Sequence, residues 1–319
     1  MLKLVFLVLA LLHTAAWAQS TYPPPMQCRG GCTNVHDGSL IQRDDGKWFR
    51  FAGSWGMSIF TSDDFLGPWD SVGTALDNNT DRWAPDVHKV GNLYYLYYSI
   101  STWGTQNSHI GVATSPSLEP GTWTDLGSTG VASRDGSRYN AIDGNLFQDG
   151  DGSFLLTFGS FWGNTYQVPL TSPEPTRANG NPYNIQFNST GSQSSEGPYL
   201  FKFGEWYYLF WSSGQCCKYD TERPRQGEEY KIMVCRAERA SGPFVDMDNT
   251  PCTQNGGTQV LGSHDFVYGP GGQGLYHIPN YGPVIYYHYV DTKVGFADGQ
   301  KRIGINKVDF VTGWPVLVG

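Results

Sequence analysis

Beyond its N-terminus this 319-residue chain has no hydrophobic run long enough to cross a membrane. A spanning helix needs about 20 consecutive apolar residues, and nothing after Leu12 comes near that. Basic residues are scarce as well. The chain has 21 Lys and Arg against 29 Asp and Glu, a formal net charge of −8. That balance argues against nucleic acid and anionic membranes as partners, and it suits neutral polymers. No stretch repeats apolar residues at helical spacing over three turns, so helical fold classes drop out. The 7 His and 6 Cys never gather at zinc-finger spacing, which removes a structural zinc.

What the chain does have begins with Met1-Leu2-Lys3, an apolar run from Leu4 to Leu12, and Ala16-Trp17-Ala18. A basic start, a short apolar core and a small-x-small cleavage pattern describe a secretory signal peptide over residues 1–18. The expected mature protein, residues 19–319, is secreted and extracellular. In that setting the 6 cysteines are expected to pair. Cys28 and Cys32 can close a small loop. Cys216 and Cys217 can form a vicinal bridge or split to Cys235 and Cys252. Asn78 and Asn188 each open a glycosylation sequon.

Aromatics are abundant, with 11 Trp, 19 Tyr and 17 Phe, and they cluster in a repeat. A glycine turn precedes an aromatic, β-branched run at Gly46-Lys47-Trp48-Phe49, Gly91-Asn92-Leu93-Tyr94-Tyr95, Gly152-Ser153-Phe154-Leu155, Gly204-Glu205-Trp206-Tyr207-Tyr208 and Gly282-Pro283-Val284-Ile285-Tyr286. Such runs are too short and too β-prone for helices. Five units of roughly 45–75 residues, each with several short strands, predict an all-β, five-bladed β-propeller as a single domain. A β-sandwich and a β-helix are the alternatives. A propeller brings its inner strands to one axis, so residues far apart in sequence can share one mouth.

Three acidic residues stand in turns beside these runs: Asp37 in Val35-His36-Asp37-Gly38, Asp143 in Asn140-Ala141-Ile142-Asp143-Gly144, and Glu196 in Ser195-Glu196-Gly197-Pro198. Taken singly, each reads as a turn residue capping its own loop. Taken together, they offer what glycoside cleavage requires, a carboxyl group that gives a proton and one that takes one. A third carboxylate can hold those two pKa values apart.

These segments, with Trp83-Ala84-Pro85-Asp86-Val87 and Gly159-Ser160-Phe161-Trp162, resemble glycoside hydrolase family 43, and within it the secreted fungal branch that cleaves arabinan. The likeness runs from about Tyr22 to Gly319. It implies a five-bladed propeller that hydrolyses internal α-1,5-arabinofuranosidic bonds with inversion. Asp37 is implied as general base, Glu196 as general acid, and Asp143 as the residue that tunes and orients the acid. Trp83, Asp86, Asn140, Ser160, Phe161 and Trp162 are implied in substrate binding. The implied partner is arabinan or an arabino-oligosaccharide, bound by a monomer, with no cofactor required for the chemistry. Many bacterial relatives hold a metal, often calcium, on the histidine of a Gly-x-Gly-His segment. Gly272 stands at that position here, so the metal ligands are unknown. An exo-acting α-L-arabinofuranosidase or β-xylosidase of the same family is the nearer alternative. From another class, the alternative is a catalytically silent sugar-binding propeller.

Overall fold

A computed structural model describes residues 22–319, apart from the side chains of Ser54 and Trp55. The segment expected to be a signal peptide lies outside the described residues. The chain forms five antiparallel sheets, four of four strands and one of five, taken up in sequence order. This is the expected five-bladed propeller. Its inner strands are Ser39–Gln42, Asp81–Val90, Asn145–Gln148, Ser195–Phe203 and Val267–Ile278, which pack against one another around the axis. The extra strand, Ser54–Trp55, leaves the first blade and pairs with Asp81 and Arg82 of the second.

Each repeated aromatic run is the second strand of a blade: Trp48–Ala52, Leu93–Ile100, Phe154–Phe158, Trp206–Ser213 and Gly282–Asp291. Successive side chains of a strand point to opposite faces, and both faces of these strands are buried. Tyr94, Leu96 and Tyr98 pack on the first blade, while Tyr95 and Tyr97 pack on the third. A strand buried on both faces reads as a continuous apolar run rather than an alternating one. The core is accordingly divided into five clusters, one in each seam between neighbouring blades.

The chain closes the ring without exchanging a strand. Residues 26–33 run between the first and last blades, where Met26 N–H donates to Ile305 O at 2.8 Å and Ile303 N–H to Cys32 O at 3.1 Å. The Cys28–Cys32 disulfide cinches this segment. Cys216 pairs with Cys217, and Cys235 with Cys252, which settles the pairing that the sequence leaves open. Among the described residues no helix is long and apolar enough to cross a membrane. Asn78 is exposed, and Asn188 is half-buried with its Oδ1 taken by Thr190.

Candidate active site

All five inner strands start at the same end of the axis, and at or just before that end each blade has a matching residue in the left-handed region: Asp37 (φ 43°), Ala84 (φ 46°), Asp143 (φ 59°), Gly197 (φ 59°) and Gly272 (φ 56°). The register explains their equivalence. Between Trp83 and Asp86, between Glu196 and Tyr199, and between Gly271 and Gly274, the inner strand has one residue more than its partner strand. A bulge re-aims the chain, so here it turns each strand end toward the axis. Left-handed backbone is unfavourable for residues other than glycine and is tolerated best by Asp and Asn. Asp37 and Asp143 therefore occupy positions where aspartate is among the least strained choices.

Side chains from the preceding blade hold this ring. Asp143 N–H donates to Ser99 Oγ at 2.8 Å, Gly272 N–H to Ser212 Oγ at 2.8 Å, and Asp37 N–H to His288 Nδ1 at 3.2 Å. Ser99, Ser212 and His288 sit at matching register positions, opposite Trp83, Glu196 and Gly271. Gly197 N–H donates to Asp143 Oδ2 at 3.0 Å. The backbone beside Glu196 is thereby tied to the second carboxyl group.

A second ring of stitches lies one step deeper. Ser39 Oγ accepts from Val87 N–H at 3.0 Å, Asp86 Oδ2 from Leu146 N–H at 2.8 Å, and Asn145 Oδ1 from Leu200 N–H at 2.8 Å. Tyr199 donates its hydroxyl to Leu275 O at 2.9 Å, and Leu40 N–H donates to the Tyr286 hydroxyl. Every blade is thus bonded to the next beneath the pocket. Asp86, expected among the substrate-binding residues, is one of these stitches. It borders the pocket floor, but its carboxylate is committed to Leu146 and Asn145.

Above the rings, the pocket is lined by Asp37, Asp143, Gly197, Pro198, Gly272 and Gln273, among others. Glu196 joins them at the rim, where Ser160 Oγ donates to its Oε2 at 2.6 Å and the Tyr230 hydroxyl donates to its Oε1. Burial pushes all three carboxyl groups above the usual carboxylate range. Asp37 rises to about 6 through burial and the neighbouring Glu196, with Lys301 opposing. Its side chain keeps 40% of its surface open, so water screens part of that shift. Asp143 rises furthest, through burial and then through both neighbouring carboxylates, with only the Gly197 N–H opposing. Glu196 is raised by burial, while Ser160, Tyr230 and Lys301 pull it down. Three carboxyl groups this close cannot all ionise freely, so they share protons and titrate as one coupled set.

The remaining expected residues spread outward. Ser160 binds Glu196 directly, and Phe161 and Trp162 follow it on the mouth loop 159–164, with Trp162 exposed at 40%. Trp83 is half-buried at the second blade's bulge, and its Nε1 donates to Asp81 at 2.8 Å. Asn140 is buried in the wall, where its Oδ1 accepts from Ser108 Oγ at 2.7 Å. Sequence reasoning missed Tyr230 and the exposed Trp103. Trp103 lies on mouth loop 101–107 with Lys218 Nζ 5.7 Å from its ring. Tyr230 and His288 lack any local motif. Only their position, at the end of a mouth loop and opposite a bulge, gives them a role.

Glycine stands at position 272 in place of the expected metal-binding histidine. A Cβ at Gly272 would run into Asp37 Oδ1 and the His288 ring, so any side chain there would displace them. Gln273 is engaged at both ends, accepting from Ser212 Oγ and donating to Gly197 O. Among the described residues, no three His, Cys, Asp or Glu gather as a ligand set.

The comparisons with known proteins agree with this geometry. The model of glycosyl hydrolases family 43 matches residues 31–315. The arabinan endo-1,5-α-L-arabinosidase A of Aspergillus aculeatus is 55% identical over 305 residues, covering 93% of this chain and 94% of its own. Among solved structures, an exo-1,5-α-L-arabinanase from a bovine ruminal metagenomic library superposes with a TM-score of 0.81 at 28% identity, covering 92% of this chain and 100% of its own. The α-L-arabinanase of Cellvibrio cellulosa complexed with arabinohexaose reaches 0.79 at 25% identity, covering 90% and 96%.

Proposed function

The chain belongs to glycosyl hydrolases family 43, and from that premise we propose that it cleaves internal α-1,5-arabinofuranosidic bonds of arabinan with inversion at the anomeric carbon. One observation carries the reading: Asp37, Asp143 and Glu196 come from three different blades to one mouth, where Asp37 donates its backbone N–H to His288, Asp143 accepts from the Gly197 N–H and Glu196 accepts from Ser160 Oγ. The relative at 55% identity supports arabinan as substrate and the internal position of the cut.

In the proposed step Asp37 is ionised and accepts a proton from a water whose oxygen bonds to C1. The bond from C1 to the leaving oxygen breaks, and Glu196 gives that oxygen its proton. One water is consumed, and two chain ends result. Asp37, with 40% of its side-chain surface open, meets solvent, as a base that activates water must. Glu196 and Asp143 draw on the proton the coupled set retains, and the Gly197 N–H links the acid's backbone to Asp143. Trp83, Phe161 and Trp162 offer aromatic faces to the sugar. The chemistry on this reading needs no cofactor, and the protein acts as a monomer outside the cell.

The test uses linear debranched arabinan. Asp37→Ala and Glu196→Ala should each lose at least about 1,000-fold in kcat with unchanged melting curves. Proton NMR of the first product should show the β-anomer before mutarotation, and early digests should hold mixed oligomers. Near-normal turnover in either variant removes that residue from its role. An α-anomer as first product overturns inversion, and a single uniform short product overturns internal cleavage.

A further inference from the structure

We propose that Lys301, sealed beneath the rim of the pocket, is a positioning residue whose charge sets the field in which Asp37 and Glu196 titrate. The inference rests on reading those two residues as base and acid. Three Lys and Arg side chains are buried among the described residues. Arg50 is stacked against Phe60 and Trp69, and Arg82 is paired with Asp77 and Asp125. Lys301, fully buried, is the one beside the carboxyl set.

Its ammonium has four oriented partners: Cys216 O at 3.0 Å, Asp298 Oδ1 at 3.1 Å, His36 Nδ1 at 3.4 Å and Cys217 Sγ at 3.6 Å. The third contact fixes a tautomer. His36 Nε2 lies 3.1 Å from Asp298 O, a carbonyl that only accepts, so Nε2 carries the proton and Nδ1 faces Lys301 with its lone pair. His36 is the residue immediately before Asp37. Behind it, His288 accepts the Asp37 N–H, and the two imidazole centroids are 5.5 Å apart. Burial, followed by the charge of Lys301, pushes His36 down to about 4, and the same two causes push His288 well below its usual range. Two neutral imidazoles therefore separate one fixed positive charge from the base.

The titratable and charged groups around the ammonium can be named. Asp298 belongs to its own turn, His36 to the entry of the first blade, and Tyr219 to loop 214–230, its ring 5.9 Å away. Asp37, Glu196 and His288 are the further groups that its charge reaches. Asp298 neutralises Lys301 only in part. Its carboxylate is 38% exposed, and the N–H of Lys218 shares it. Burying a charge costs free energy that an apolar side chain of the same size avoids. A role in packing alone therefore gives no reason for an ammonium here, whereas a role in the field does.

The field reaches both carboxyl groups, so removing it should displace the whole pH profile. In Lys301→Met, both limbs of kcat/KM on arabinan should move to higher pH by about half a unit to one unit. Asp298→Asn keeps the shape but leaves Lys301 less compensated, so both limbs should move to lower pH. Structural damage can lower turnover, but it does not move the limbs in opposite directions in the two variants. Limbs that stay within about 0.2 units of wild type, or that move the same way in both, overturn the inference. If circular dichroism shows Lys301→Met unfolded, the sign of the Asp298→Asn shift decides alone. A wild-type profile without two limbs, or an active Asp37→Ala, would instead overturn the acid–base reading itself.

Discussion

Tyr230→Phe isolates a single hydroxyl. Tyr230 is 3% exposed, its ring stacks 5.9 Å from His288, and its backbone N–H donates to Gln215 O. Phenylalanine keeps all of that and deletes only the donor to Glu196 Oε1. A hydrogen bond to a charged group contributes about 1.5–3 kcal/mol, and 1.36 kcal/mol corresponds to one pKa unit. Ser160 still donates to the other oxygen, so a net rise of about 1 unit in Glu196 is expected. The assay is kcat/KM on linear arabinan across the acidic and neutral range. The alkaline limb, where the acid loses its proton, should move up by about 1 unit. At a pH above the wild-type limb the variant should then be up to about tenfold more active than the parent. The acidic limb should hold or fall slightly, because a Glu196 that stays protonated longer repels the charge on Asp37 less. The profile broadens, whereas the Lys301 variants displace it. An alkaline limb that stays in place or moves down in a folded Tyr230→Phe would refute the account of how Glu196 is held.

Three further outcomes follow from the same geometry. Asp143 binds its proton more tightly when folded than unfolded, so its contribution to stability is complete below the unfolded value, near 4, and is lost as pH rises through the folded one. The wild type should melt higher at mildly acidic pH than at neutrality, and Asp143→Asn should flatten that slope and gain about 2–4 °C at neutral pH while losing activity. A scanning melt at two pH values checks this, and an unchanged slope counts against it. Gly272→Ala places a Cβ against Asp37 and His288 at a left-handed backbone position, so kcat should fall by about 100-fold or more in a folded protein; near-parental turnover would show that the wall yields. Trp162→Ala should raise KM about five- to tenfold with kcat little changed, as loss of an aromatic contact of about 1 kcal/mol requires. A fall in kcat alone would remove Trp162 from ground-state binding.

The fold was legible because the most conspicuous strand of each blade is buried on both faces and has to be written in aromatic and β-branched residues. The inner strands were less legible. Ser39–Gln42 and Asn145–Gln148 are four residues long and mix polar stitches with apolar seams, so no period announces them. Asp37, Asp143 and Glu196 could be found because a turn residue and a motif coincide at each. Asp86 and Asn140 were drawn into the binding set by the same motifs, and the Asp86 carboxylate and Asn140 Oδ1 also bond to neighbouring blades. Tyr230 and Lys301 escaped notice because their importance is a matter of register and burial. Each is far in sequence from the carboxyl group it serves.

The ring of left-handed residues has a meaning beyond the two aspartates it holds. Positions 37, 84, 143, 197 and 272 behave as indexed sockets on a turret, related by successive fifths of a turn. Asp37 and Asp143 fill two of them, and alanine or glycine leaves the others blank. Ala84 already tolerates a side chain at φ 46°, so the socket in the second blade can accept an aspartate without a new fold. Moving the base from 37 to 84 would carry its carboxylate one fifth of a turn around the same axis, toward a different side of the bound sugar. The direction of attack is then a matter of which socket is loaded, and the propeller itself is indifferent to the choice.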